Sequence, residues 1–183
     1  MDARPGQAQP FLWGAATSAH QIEGYNQGSD WWEWETQGHA AGGVSSGAAT
    51  DHWNRFEEDL SLAAGLGLNS YRFSVEWAKL EPEAGGWNDA AFEWYEALLA
   101  ECEKRGLLPM LTLHHFTLPS WLAREGGFSN EKSIKLFERF ALEVIRRFGS
   151  RVPLWCTFNE PMVLALGSYL GGFMPPAVRE PKL

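Results

Sequence analysis

The run 152–158 (VPLWCTF) reads as a buried strand, and it ends in Asn159, Glu160 and Pro161. A charged carboxylate at the tip of a buried strand costs free energy unless it has partners or a task. Three other apolar runs carry or lead into polar side chains. FLWGAAT (11–17) is followed by His20, Gln21 and Glu23; LNSYRFS (68–74) contains Arg72; LLPMLTL (107–113) is followed by His114, His115 and Phe116. Gln21, Arg72, His115 and Glu160 are spaced by several tens of residues. If each interval is one βα unit, the four gather at the C-terminal edge of a parallel sheet. Open α/β sheets and βα barrels both place their chemistry there. Metal ligation is one competing chemistry for such a set.

Each residue also has a plainer reading. His20 is an ordinary loop histidine, Gln21 a loop-closing hydrogen bonder, and Arg72 an ion-pair partner of a strand-end carboxylate. His114 is a satisfied core histidine, and Glu160 a first-turn acid that complements a helix dipole. The coincidence of four strand ends weighs against taking all of these together. Metal ligation is the weaker chemistry. His114 and His115 are adjacent on a strand and point to opposite faces, and no H-x-x-x-H or C-x-x-C spacing occurs. No metal is expected.

The elements that must hold these side chains are legible in the periodicity. The four apolar runs lack strict alternation, as parallel strands covered on both faces do. Between them lie three amphipathic patterns. Residues 53–66 place Phe56, Leu60, Ala63 and Ala64 on one stripe. Residues 89–105 place Phe92, Tyr95, Leu98, Leu99 and Cys102 together, with Gly106 as the stop. Residues 130–148 carry Ile134, Phe137, Ala141, Val144, Ile145 and Phe148, with Ser129 as N-cap and Gly149 after the end. The long connection 18–52 holds GSDWWEWE (28–35) and a Gly/Ala/Ser stretch (38–49) expected to be a mobile surface loop. Strands alternating with helices give the α/β class with a parallel sheet. The first nine residues are polar, with Pro and Gly, and are expected to be a flexible lead-in to a single domain over 10–183.

Composition narrows the partners. The net charge of −8, with no basic run, argues against nucleic acid or an anionic membrane surface. No run has the length of a membrane span, and the N-terminus has no apolar signal-peptide core. Cys102 and Cys156, the only two cysteines, read as buried free thiols in a reducing cytoplasm. The ten Trp are read as core before ligand platform.

The segments 11-FLWGAATSAHQIEG-24, 51-DHWNRFEEDLSLAAGLGLNSYRFSVEWAKLEP-82, 107-LLPMLTLHHFTLPSWL-122 and 157-TFNEP-161 together resemble the N-terminal part of glycoside hydrolase family 1, the β-glucosidase-like enzymes. The resemblance implies a (β/α)8 TIM barrel and hydrolysis of terminal β-linked sugars with retention, with no cofactor. It implies that Glu160 is the general acid/base, that Gln21 and His115 bind sugar hydroxyls, and that Asn159 contacts the 2-hydroxyl. Arg72 resembles the strand-two arginine that keeps the nucleophile ionised. Phe116 stands where many members have Trp. Trp121 is expected to pack its loop.

The family's nucleophile lies in a late-strand T-E-N-G motif, and no TENG occurs in these 183 residues. Glu23, Glu33, Glu35 and Glu76 are acidic, but none sits in such a motif. A whole barrel takes typically about 250 residues. The chain is therefore expected to be the first half of a barrel, strands one to four. Such a half leaves raw edges. It is expected to pair with a complementary C-terminal half-barrel chain, or to self-associate. The alternative is a non-catalytic fragment that binds sugar or assembles with such a chain, since one carboxyl cannot run a double displacement. The sugar itself stays open.

Overall fold

Among the described residues four strands form one parallel sheet: β1 (Gly14–Ala16), β2 (Ser70–Ser74), β3 (Leu108–His114) and β4 (Leu154–Phe158). They pair in chain order, β1-β2-β3-β4, each parallel to the next. A doubly wound sheet would reverse this order at a switch point; no reversal occurs among the described strands. The coordinates are a computed structural model describing residues 11–179. The lead-in expected at 1–9 lies outside the described residues.

Among the described residues eight α-helices accompany the sheet: α1 (Ala19–Ile22), α2 (Asp30–Thr36), α3 (His52–Gly65), α4 (Trp77–Leu80), α5 (Asp89–Lys104), α6 (Ser120–Ala123), α7 (Lys132–Phe148) and α8 (Pro161–Leu164). The last runs into a π-helical stretch, Ala165–Gly171. The long ones, α3, α5 and α7, are those the periodicity gives. In α5 the whole expected stripe, Phe92 to Cys102, is buried. Gly106 follows it at φ +69°, a left-handed turn that only glycine makes without penalty.

α7 differs from expectation in two respects. Ser129 does not cap it. That residue closes a 3₁₀ turn, Gly127–Ser129, with its hydroxyl donating to the Gly126 carbonyl at 2.8 Å. Asn130 Oδ1 instead accepts from the Lys132 N–H at 3.0 Å. The buried stripe is also rotated. Phe140, Val144 and Phe148 face the core, while Ile134 is 68% and Ile145 44% exposed. Phe140 decides the rotation by stacking on Trp77, centroids 4.4 Å apart.

The long first connection is more structured than expected. Ser29 caps α2, its Oγ accepting from the Trp32 N–H at 3.2 Å. The core lies between the sheet and the helices. Tyr71, Phe73, Leu111 and Leu113 point from β2 and β3 into it. Trp77 is buried, and Trp53 stacks on Trp94 at 4.0 Å. Trp121 donates from Nε1 to the Glu81 carbonyl at 3.0 Å and packs edge-on to Trp77. Cys102 is buried; Cys156, expected buried, is half-exposed because it lies on the sheet face turned away from the helices.

Candidate active site at the strand ends

Alternation along a strand sends neighbours to opposite faces. Tyr71 and Phe73 face the helices, so Arg72 between them faces the other way. Its Nε donates to Thr112 Oγ1 at 2.8 Å and its Nη2 to Asn159 Oδ1 at 2.8 Å. Nη2 also lies 3.6 Å from Cys156 Sγ. The arginine thus runs across β3 to the end of β4. The plainer reading of Arg72 as an ion-pair partner is corrected: its partners are neutral, and no carboxylate pairs with it among the described residues. Thr112 and Asn159 are buried, and each needs such a donor to leave water cheaply.

Asn159 is fixed twice. Its N–H donates to the His114 carbonyl at 2.9 Å, continuing the β3–β4 pairing one step past the strand. His115 follows on β3. Burial, and then the Arg72 charge, push its imidazole down to about 4, so it is neutral at physiological pH. His114 is pushed down to about 3, by burial first and then by His115. The reading of His114 as a satisfied core residue is half corrected. It is buried, but neither ring nitrogen has a hydrogen-bond partner among the described residues. Phe128 and Phe158, with ring centroids at 5.0 and 5.1 Å, surround it and offer no acceptor.

Glu160 is exposed, at φ 44° and ψ 62°. A left-handed conformation is costly for a residue with a Cβ, and doubly so before Pro161; strain of this kind gathers at functional positions. Pro161 opens α8, and the Glu160 carbonyl accepts from the Leu164 N–H at 3.1 Å. The Glu160 carboxylate makes no cap hydrogen bond. Gln21, in α1 beyond β1, is exposed and accepts from Ser18 Oγ at 2.8 Å. His20 is no free loop residue: its Nε2 lies 3.0 Å from Glu35 Oε1. The structure therefore joins Arg72 to Asn159 directly and sets His115 in the field of Arg72. Gln21 and Glu160 follow β1 and β4 without hydrogen bonds to those three.

Sequence reasoning missed Thr112 and Cys156 as members of this face, although both share the period-two alternation of Arg72. It also missed the burial of several carboxyl groups beneath the loops, among them Glu23, Asp30, Glu76 and Glu81. Among the described residues no group of three or more His, Cys, Asp or Glu is placed to hold a metal ion.

The family model for glycosyl hydrolase family 1 matches residues 7–183. Thermostable β-glucosidase B of Thermobispora bispora is 41% identical over 160 residues, 85% of this chain and 34% of that protein. A β-glycosidase from Pyrococcus horikoshii superposes with a TM-score of 0.87 at 43% identity, over 93% of this chain and 40% of its own. The family 1 β-glucosidase from Thermotoga maritima, solved in complex with deoxynojirimycin, gives a TM-score of 0.90 at 32% identity, over 95% of this chain and 41% of its own. The chain thus spans about 40% of the length of the relatives it matches. Its four strands match the first half of their (β/α)8 barrel. On both sequence and structure, the chain belongs to glycosyl hydrolase family 1.

Proposed function

We propose that this chain is the acid/base-bearing portion of a retaining β-glycosidase of the β-glucosidase type. Glu160 is the general acid/base. It protonates the leaving oxygen and then deprotonates the water that releases the sugar. Gln21, His115 and Asn159 bind sugar hydroxyls. Arg72 lies beside the nucleophile and keeps it ionised, since a nearby cation favours the charged carboxylate. That nucleophile is supplied by a segment other than these 183 residues.

The observation that carries the reading is the Arg72–Asn159 contact at the end of β4, next to Glu160 in its left-handed turn. It leaves a guanidinium with only neutral partners among the described residues, a place a carboxylate would fill. The neutral imidazole of His115 suits hydrogen bonding to hydroxyls, because it donates from one nitrogen and accepts at the other. The names of the relatives are of the same class.

A complementary chain with strands five to eight, or a second copy, is the partner we infer. Phe11 and Trp13 before β1, and Met162, Leu166 and Phe173 beyond β4, are exposed; exposed apolar side chains that gather into patches mark interaction sites. The same surface favours the second reading, a non-catalytic fragment whose task is assembly. Free thiols at Cys102 and Cys156 fit a reducing cytoplasmic setting. Among the described residues no helix is long and apolar enough to cross a membrane.

The test mixes this chain with a polypeptide carrying the late strands and the nucleophile, and follows aryl β-glucoside hydrolysis. Activity above either part alone supports the enzyme reading. A complex that forms and stays inactive supports the assembly reading instead.

A further inference from the structure

Glu76, two residues past β2, is fully buried. Its carboxyl group accepts from Asn26 Nδ2 at 3.1 Å, from Thr117 Oγ1 at 3.0 and 3.1 Å, and from the Ala78 N–H at 3.3 Å. One side chain therefore ties together the loops that follow β1, β2 and β3. Its own N–H donates to the Tyr95 hydroxyl at 2.8 Å; that hydroxyl donates to Glu23 Oε1 at 2.7 Å, and Lys79 Nζ donates to Glu23 Oε2 at 2.9 Å. Another buried carboxyl group, that of Asp30, works on the next residue of the same turn. Asp30 Oδ1 accepts from the Leu118 N–H at 2.9 Å, and the Asp30 N–H donates to the Leu118 carbonyl at 2.9 Å.

Between these anchors and His115 stands Phe116, at φ +70°. A phenylalanine in that region is strained and persists only where the surroundings over-determine it. Thr117 and Leu118 are where the surroundings take hold. A buried carboxylate is an expensive anchor, so its removal leaves Asn26 and Thr117 with unmet donors.

We propose that Glu76 is a positioning residue: through Thr117 it holds the 115–118 turn against the first loop, and so sets the place of His115 beside Arg72. This goes beyond the sugar reading, because it concerns the geometry of His115 whether or not a sugar binds there.

The test is an NMR titration of the His115 imidazole in this chain, without substrate. His115 stands at about 4 because burial and Arg72 hold it down. In Glu76→Ala the turn loosens, and the His115 pKa should rise by about one unit or more toward its ordinary value. Glu76 stands at about 7 and is itself protonated where His115 titrates, so the shift reports the turn and not the loss of a charge. Glu76→Gln should stay near the wild-type value. Its amide oxygen accepts from Thr117, and Asn26 can turn over to accept from the new NH₂, because its Oδ1 is otherwise unpartnered. Thr117→Val removes only the link to Glu76 and keeps the shape, so it serves if Glu76→Ala does not fold; it too should raise the His115 pKa. An unchanged or lowered His115 pKa in folded Glu76→Ala or Thr117→Val would overturn the proposal. So would a rise in Glu76→Gln as large as in Glu76→Ala.

Discussion

Arg72 on β2 and Asn159 at the end of β4 are joined across the intervening strand, Nη2 to Oδ1 at 2.8 Å, though 87 residues apart in the chain. The same guanidinium holds Thr112 on β3. One side chain thus sets the lateral relation of three strands at the edge where the candidate site lies. The planar fork of arginine suits two simultaneous donations in fixed directions, which lysine cannot reproduce.

Replacing Arg72 by Met should therefore cost stability as well as function. It strands the Asn159 carbonyl oxygen without its donor in a buried setting. A loss of about 1–3 kcal/mol is expected from that orphaned group, read as a fall in the urea midpoint of this chain. Arg72→Lys should recover only part of it. A midpoint equal to wild type in Arg72→Met would show that the contact does not organise the strand ends.

The two histidines give an acid-side prediction. Both His114 and His115 have folded values below the ordinary histidine value, at about 3 and about 4. A base held neutral in the fold stabilises it above its ordinary pKa, and that contribution is lost as pH falls through the folded value. The stability of the chain should therefore fall as pH drops from about 6.5 toward 4, with neither imidazole titrating by NMR above about pH 5. His114→Phe should remove half of this sensitivity. It should also stabilise the chain at neutral pH by about 1 kcal/mol, because it replaces two unpartnered buried nitrogens by an apolar edge among Phe128 and Phe158.

Glu76 acts in the opposite sense. Burial, then the charge of Glu23, push its carboxyl group up to about 7, against the opposing pull of Lys79, Thr117 and the Ala78 N–H. Tyr95 and Asp30 complete the titratable groups around it, and both are themselves pushed upward by burial. An acid whose folded value is raised contributes stability below its ordinary pKa and loses it as pH rises through the folded value. Glu76→Gln should therefore gain on the wild type by up to about 3 kcal/mol between pH 4.5 and 7 and no further above that. A pH-independent difference between the two proteins would show that Glu76 does not titrate in this window.

The four strands and the three long helices were legible because burial imposes a period on the sequence. Strand direction placed Gln21, Arg72, His115 and Glu160 beyond the C-terminal ends of the strands, but not the Arg72–Asn159 contact that joins two of those ends. The rotation of α7 was not legible: periodicity gives the width of an apolar stripe, whereas the Trp77–Phe140 stack decides which of two neighbouring faces turns inward. α2 was missed because its apolar positions are tryptophans in a short run, although the Ser29 cap was there to be read. The unpartnered ring nitrogens of His114 could not be read, since a buried histidine with partners and one without look alike in sequence. Glu76 sat in plain sight in SVEW, but nothing in the letters says that a glutamate is buried under Thr117 and Asn26.

The identity of Glu160 as acid/base is tested most directly by leaving-group dependence in the barrel completed with the late strands. Glu160→Gln is compared with wild type on two β-glucosides, one with a poor leaving group that needs protonation and one with an activated aryl group that does not. An acid at Glu160 predicts a loss of about 10²-fold or more on the poor leaving group and a much smaller loss in glycosylation on the activated one. Equal losses on both substrates would contradict it.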